Sequence, residues 1–164
     1  MIDSRKYLAS YSILMMIMFM AGCSWMRRSN EIDNTYDVMI GNYDINKVNH
    51  EFVEFMEVEG YPIVSMIANE NYIYHESIWV DCSVLEIEKM LGIIGVRVKI
   101  ISTALKYADG YQLVLKFEYA AYLAALKGWY ECSISADRIR EFLIFSQALK
   151  NELDVVRKSN IKVG

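Results

Sequence analysis

Apolar positions along the chain recur at two intervals, and each interval predicts one kind of secondary structure. Between residues 45 and 56 the interval is three or four residues, which predicts an amphipathic helix. Asp44 is suited to cap the beginning of this helix, and Gly60 is suited to end it. A second, longer helix is expected from Ser135 to about Val156. The apolar positions that define the two helices are Ile45, Val48, Phe52, Phe55 and Met56 in the first and Ile139, Phe142, Leu143, Leu149 and Leu153 in the second.

Other segments alternate between apolar and polar residues or are rich in β-branched residues, which is typical of strands. The predicted strands are residues 36–40, 63–67, 72–74, 77–80, 96–100, 111–118 and 129–134. Ser83 and Glu86 have the spacing of a capping box, which predicts a short helix through Leu91. Four alanines favour another short helix at residues 119–126, and Asp109-Gly110 indicates a turn. This order predicts an α+β fold, with a small mixed sheet, flanking helices and a single compact domain.

The first 26 residues have a composition of their own. Arg5 and Lys6 precede an uncharged run from residue 7 to residue 26. A basic start, followed by an apolar stretch and small residues, is typical of a secretory signal peptide. The apolar part ends at Met20-Ala21-Gly22-Cys23, which resembles the lipobox of bacterial lipoproteins. Met20 departs from the leucine that usually opens this motif.

The resemblance to lipoproteins implies that a signal peptidase recognises residues 20–22 and cleaves before Cys23. Cys23 would then carry a diacylglycerol on its thiol and an acyl chain on its amine, which together anchor a protein firmly. Ser24 stands where inner-membrane lipoproteins of enteric bacteria typically carry aspartate, which implies the periplasmic face of the outer membrane. The alternative is an uncleaved transmembrane anchor, because the uncharged run is just long enough to span a bilayer and Arg27-Arg28 follows it.

These features divide the chain into four expected segments. Residues 1–22 are the signal peptide, residues 23–43 the lipidated N-terminus and a polar tether, residues 44–156 the α+β domain, and residues 157–164 a basic tail. Cleavage removes one acidic and two basic residues, so the formal net charge shifts from −4 to −5. This acidic balance argues against nucleic-acid binding, which needs a basic surface. The 54% apolar content excludes a disordered chain.

Candidate catalytic and metal-binding residues are few. His50 and His75 lack partners at a metal-binding spacing, so we expect no metal site. The chain has no nucleophile-elbow, Walker A or dinucleotide-binding motif. We therefore expect no enzyme, no cofactor apart from the lipid and no small-molecule substrate. Cys82 and Cys132 would lie in an oxidising compartment, where they either form a disulfide or remain two buried thiols. The acidic residues expected on the solvated face of the first helix are Glu51, Glu54, Glu57 and Glu59.

The order strand, helix, strand, turn, strand, helix, strand over residues 77–134 resembles the N-terminal domain of secretins, which also occurs in TonB-dependent receptors. In the first half, Ile78 to Val98, a helix with spaced apolar residues leads to Gly95 and an alternating strand. The second half combines a strand at 112–117, a helix and turn at 122–128 and a closing strand through Tyr130. Lipoproteins with this domain include DotD-type proteins of type IVB secretion systems and components of type IVb pili. The resemblance implies contact with an outer-membrane ring or secretin.

We therefore expect an outer-membrane lipoprotein that serves as an assembly or docking component of a secretion or pilus machine. An exposed strand edge or helix groove would bind the protein partner. The alternating strand at residues 96–100, with Arg97 and Lys99 directed outward, is the expected partner-binding strand. The alternative is an immunity or inhibitor lipoprotein that binds a toxin or hydrolase, since the acidic mature chain would suit a basic target.

Overall fold

The computed structural model describes residues 33–160, and within this range seven strands form one antiparallel sheet with three helices. The strands are β1 (Thr35–Tyr43), β2 (Ile63–Ala68), β3 (Tyr72–Ser77), β4 (Val80–Cys82), β5 (Ile93–Tyr107), β6 (Gly110–Leu123) and β7 (Gly128–Glu131). The helices are α1 (Ile45–Val58), α2 (Glu86–Met90) and α3 (Ala136–Asn160). The α+β class is thereby confirmed.

A long hairpin of β5 and β6 forms the middle of the sheet. The two strands pair from Tyr107–Gly110 at one end to Ile93–Leu123 at the other. On the outer side of β6, β1 and β7 pair with successive stretches of that strand. On the outer side of β5, β4 and β3 do the same, and β2 pairs with β3. The order across the sheet is therefore β1-β6-β5-β3-β2, and β1 and β2 are its outermost strands.

The hydrophobic core lies between one face of this sheet and the helices α1 and α3. Phe52 from α1 packs against the ring of His75, and Phe142 from α3 stacks on Phe117 with ring centroids 4.4 Å apart. The opposite face, here called the open face, is covered by no helix within residues 33–160. The sheet residues buried in the core include Ile73, Val96, Val98, Ile100, Ala104, Leu113, Leu115, Phe117 and Tyr119.

The sequence signals at both ends of α1 are confirmed. The Asp44 carboxylate accepts a hydrogen bond from the backbone N–H of Asn46 at 2.8 Å, which satisfies one of the free donors of the first turn. Gly60, directly after the C-cap, has a φ of +83°, a left-handed conformation that residues with a side chain rarely adopt. The predicted strand at 96–100 is also confirmed as half-buried, but it extends to residues 93–107 as β5.

Several expectations need correction. The sheet is antiparallel throughout the described residues rather than mixed, because its long strands are joined by hairpins and a parallel pair would require a crossover. Residues 119–123 continue β6 instead of forming a helix, since β5 and β7 pair with them on both sides and override the helical preference of alanine. The helix α2 begins at Glu86, so Ser83 does not cap it.

The expected segment boundaries also shift. Residues 35–43, assigned to the tether, form β1, and Ile40 and Tyr43 are buried in the core. The helix α3 continues to Asn160, so residues 157–160 belong to that helix and not to a separate tail. The compact unit therefore begins at Asp33, not at Asp44.

Candidate functional site

Lys99, which β5 directs outward on the open face, takes part in a network of ion pairs. The ammonium of Lys99 lies 2.9 Å from Glu76 on β3 and 2.8 Å from Glu118 on β6. Burial works against the charged form of Lys99, but the hydrogen bonds to these two carboxylates outweigh it and raise its pKa. Glu118 also lies 3.8 Å from the ammonium of Lys116. The charge of Lys99 is therefore largely neutralised within the protein.

Arg97, the second outward-directed residue, is held between two aromatic rings. Its guanidinium carbon lies 4.8 Å from the ring centre of Trp79 and 4.6 Å from that of Trp129, distances at which cation–π attraction operates. The ring of Trp129 in turn meets Tyr122 edge-on, with centroids 5.6 Å apart. Arg97 therefore links Trp79, which precedes β4, with Trp129 of β7 across the open face, and we assign it a structural role.

The segment Val96–Ile100 is not an available strand edge, which corrects the expectation that it binds a partner strand. β4 pairs with Val96–Val98 on one side and β6 pairs with the whole segment on the other. Beyond β4, the backbone N–H of Ile100 donates to the Ser77 hydroxyl at 2.9 Å. Arg97 and Lys99 still lie on the open face, but strand addition cannot occur here because both edges of the strand are occupied.

The outer edge of β2 is an exposed strand edge, and it is longer than the free edges of β4 and β7, which also pair on one side only but have three and four residues. Within residues 33–160, β2 pairs with β3 alone. Its six residues carry no charge, and Val64, Met66 and Ile67 are between 49% and 63% exposed. Natural edge strands are commonly protected by lysine, proline or a bulge. In β2 the proline precedes the strand and the bulge lies at its start, between Ile63 and Ser65, so the rest of the edge is unprotected.

The opposite outermost strand, β1, is less suited to strand addition. It carries Asp37 in its middle, and a bulge between Met39 and Gly41 interrupts its register. The helix α3 also packs against it. A charge, a bulge and a covering helix are the usual means of protecting an edge, so β2 is the stronger candidate.

A buried ion pair fastens α2 and α3 to the sheet. The guanidinium of Arg138 donates to both carboxylate oxygens of Glu88, at 3.1 and 2.7 Å, and to the backbone oxygen of Ser83 at 2.7 Å. Glu88 also accepts hydrogen bonds from the Tyr119 hydroxyl and the backbone N–H of Leu85. All these charged groups are satisfied, and we therefore assign the cluster to stability.

Beside this ion pair lies a cavity of about 340 Å³ that includes Cys82 and Tyr61. The two side chains are in contact, with the hydroxyl 3.6 Å from the sulfur. Burial is the main cause that raises the pKa of the Cys82 thiol, and it does the same for Cys132. Both thiols therefore stay protonated near neutral pH, which disfavours a nucleophilic role. Both cysteines are free and only partly buried, so the disulfide expectation is not met in this structure.

The two histidines have different surroundings. His50 is exposed on α1. His75 is buried, with its Nδ1 atom 2.8 Å from the Ser102 hydroxyl. Its Nε2 atom has no hydrogen-bond partner among the described residues. Burial lowers the pKa of His75 to about 4. Residues 33–160 contain no group of three or more histidines, cysteines or acids that could hold a metal ion.

The lipidation residues Met20, Ala21, Gly22 and Cys23 lie outside the described residues. Within the described range, no helix is both long and apolar enough to cross a membrane. No protein-family model matches the chain, and no curated protein matches it either. The helix expected at 122–128 in the secretin-like pattern is replaced by the end of β6 and a turn, whereas the strands expected at 112–117 and through Tyr130 are present as β6 and β7.

Sequence reasoning missed β2 as the available edge. The uncharged run Ile63–Ala68 was a signal, because a strand with no charge on either face offers a partner apolar contacts. That signal does not distinguish an outermost strand from a central one.

Proposed function

We propose that this chain is an outer-membrane lipoprotein that docks a protein partner of an envelope-spanning secretion or pilus machine by strand addition at β2. The observation that carries the docking step is the uncharged and exposed outer edge of the six-residue strand β2. The membrane anchor rests on the lipobox-like residues 20–23.

The register of β2 defines which backbone groups would bind the partner. The backbone N–H of Asn69 donates to the carbonyl of Tyr72, so every second residue from Asn69 towards Ser65 directs its backbone at β3. Met66 and Ala68 therefore direct their N–H and C=O groups away from the sheet. In strand addition these backbone groups supply affinity, while the side chains along the strand supply specificity.

The docking step is tested by two substitutions in β2. Ile67→Lys places a charge beside the edge, and Met66→Pro removes an outward N–H while leaving the hydrogen bonds to β3 in place. Both variants should keep the fold and lose a photocross-link formed from residue 64 in living cells. Leu105→Lys is the matched control, because Leu105 is similarly exposed but lies on a central strand. Unchanged cross-linking in both β2 variants would refute strand addition.

The anchor is tested separately. Metabolic labelling with a radioactive fatty acid should label the wild-type chain and not Cys23→Ala. Mass spectrometry should find the mature protein beginning at Cys23, with residues 1–22 removed. A chain that keeps residues 1–22 and takes up no lipid would instead support the transmembrane anchor.

The class of partner is tested by the phenotype of a strain that lacks the protein. Pull-down should recover an outer-membrane ring protein, and recovery should be lost when Cys23 is substituted. Normal assembly of the secretin or pilus ring in the deletion strain would contradict the proposed role.

A second candidate, binding of a basic toxin or hydrolase, is favoured by an acidic patch. Glu51, Glu54 and Glu59 on and after α1 border the same shallow depression as Glu152 of α3. The pKa of Glu51 is raised, mainly by burial. Lys47 lowers it, whereas the charges of Glu152 and Glu54 raise it further, so these acids are close enough to repel one another. Charge reversal at Glu54 should weaken binding of a basic partner and leave β2-dependent cross-linking unchanged.

A further inference from the structure

Exposed apolar side chains gather at one end of the sheet, where α2 and the β6–β7 turn meet. Met90, Leu91, Ile94 and Leu126 are between 58% and 82% exposed, and Ile87 is 40% exposed. These five residues are here called the apolar end. The backbone N–H of Ala124 donates to the carbonyl of Gly92 at 3.4 Å, which brings the turn after α2 against the β6–β7 turn. The five side chains therefore come from chain segments that touch one another.

The opposite end of the sheet has a different character. There the β2–β3 turn meets the end of β5, since the backbone N–H of Lys106 donates to the carbonyl of Asn71 at 2.9 Å. Polar residues occupy these turns, among them Glu70, Asn71 and Asp109. The turn residues at this end, here called the acidic end, are thus polar or acidic, although Leu105 and Tyr107 beside them are 52% and 64% exposed. The acidic end lies about 40 Å from the apolar end along β6.

The described chain begins near the apolar end. The carbonyl of Asn34 accepts a hydrogen bond from the backbone N–H of Tyr119, and the carbonyl of Asp33 accepts one from Ile134. Tyr119 is four residues from Leu123 at the end of β6, about 13 Å along the strand. It is nine residues from Gly110 at the other end, about 30 Å away. The chain at Asp33 therefore enters the sheet closer to the apolar end than to the opposite end.

The length of the tether limits how far this end can lie from the membrane. Nine residues lie between Cys23 and Asp33, so even a fully extended chain from Cys23 to Asp33 reaches only about 35 Å. A lipid at Cys23 would hold the apolar end within a short distance of the bilayer. Exposed lysines at this end, Lys89 and Lys127, could then lie at the level of lipid phosphates while the apolar side chains enter the acyl region.

We propose that the apolar end inserts into the surface of the bilayer to which the chain is anchored. Met90, Leu91, Ile94 and Leu126 then contact the lipid, and the acidic end points away from the membrane. This inference rests on the membrane anchoring in the proposed function and is independent of strand addition at β2. The occupant is the bilayer surface because the chain enters the sheet about 13 Å from this end, against about 30 Å from the opposite end, and the tether reaches at most about 35 Å.

Contact is measured with an environment-sensitive fluorescent amino acid at Met90, and at Asp109 as the matched control at the acidic end. The mature chain is bound to phosphatidylethanolamine–phosphatidylglycerol vesicles through its acylated Cys23. A second form begins at Ser24 and is held on nickel-chelating lipids by an N-terminal histidine tag, so the measurement does not depend on acylation. In both forms, we expect a blue shift and strong quenching by acyl-chain-brominated lipids at Met90 and neither effect at Asp109.

Substitutions then identify the side chains responsible. Leu91→Asp combined with Leu126→Asp should reduce the quenching at Met90 several-fold, whereas Leu105→Asp, near the other end of β5, should leave it unchanged. Equal exposure of Met90 and Asp109 in the histidine-tagged form would overturn the inference. Shielding of Met90 that requires a protein partner and occurs without vesicles would overturn it as well. If Cys23 is not acylated but Met90 of the histidine-tagged form is still quenched, the proposed anchor is refuted, whereas the apolar end is supported as a membrane contact.

Discussion

At the scale of single residues, the buried charges carry the clearest consequences. Arg138 and Glu88 are almost fully buried, yet every charged group of the pair has a hydrogen-bond partner. Removing one member of a buried pair is costly because the other charge stays in a low-dielectric interior. An exposed pair two positions further along α3, Arg140 with Asp137, has most of its charge in water.

Arg138→Ala should therefore lower the free energy of unfolding by about 3–5 kcal/mol, because Glu88 keeps its charge and loses its main partner. Arg140→Ala is the control and should cost less than about 1 kcal/mol, as expected for a surface pair. Urea denaturation followed by circular dichroism measures both. Similar losses in the two variants would contradict the structural role assigned to the Glu88–Arg138 pair.

His75 gives a pH-dependent prediction. Burial lowers its pKa from the ordinary 6.5 of a histidine to about 4 in the folded protein, so between these values only the unfolded chain takes up the proton. The contribution of His75 to stability should be complete above pH 6.5 and fall by about 3 kcal/mol as the pH drops to 4. His75→Gln should remove this component of the pH dependence, as measured by denaturation at each pH. The exposed His50→Gln should leave it intact, and an equal pH dependence in wild type and His75→Gln would disprove the assignment.

At the scale of elements, local signals determine where α1 begins and ends. Asp44 caps the helix, and Gly60 adopts a positive φ directly after its C-cap. No atom outside its immediate chain neighbours lies within 4 Å of the position that a Cβ at Gly60 would occupy. A substitution there consequently reports on backbone conformation and not on crowding.

Gly60→Ala should cost about 1 kcal/mol in the free energy of unfolding, because alanine tolerates the left-handed region poorly. Gly60→Asn should cost less, since asparagine enters that region more readily. Chemical denaturation distinguishes the two. Equal stability of Gly60→Ala and wild type would mean that α1 ends without needing a left-handed residue.

At the scale of the whole molecule, β1 is part of the domain and not of the tether. It pairs with β6 from Thr35 to Tyr43, and Ile40 and Tyr43 are buried in the core. Burial of two such side chains contributes roughly 3–6 kcal/mol, which is comparable with the total stability of an ordinary domain. The segment between Cys23 and β1 that would serve as a tether is therefore shorter than the sequence pattern predicted.

Two truncated chains test this boundary. A chain that begins at Asp33 should unfold cooperatively and give dispersed amide resonances, because it keeps β1. A chain that begins at Asp44 should lose cooperative thermal unfolding, because an edge of β6 and part of the core are exposed. Thermal circular dichroism and two-dimensional NMR provide the measurements. If the chain that begins at Asp44 folds well, β1 is not needed by the domain, and the tether extends through residue 43.

The accuracy of the sequence predictions depended on how local the responsible interactions are. The ends of α1 and the turn at Asp109-Gly110 were predicted because capping and turn geometry involve residues close in sequence. The half-burial of residues 96–100 was predicted because alternation reports which face meets the core. Residues 119–123 were mispredicted because pairing with β5 and β7, distant in sequence, overcame the helical preference of alanine.

The sequence by itself determined the α+β class, the bounds of α1 and which faces of the strands are buried, because helical and strand periodicities and caps depend on neighbours along the chain. Only the tertiary structure decided that Val96–Ile100 is central, that β2 is the exposed edge and that the apolar end lies beside the entry of the chain at Asp33. Strand order and the meeting of turns depend on contacts between residues far apart in sequence. A central strand with one buried face and an edge strand of the same pattern look alike until their neighbours are known.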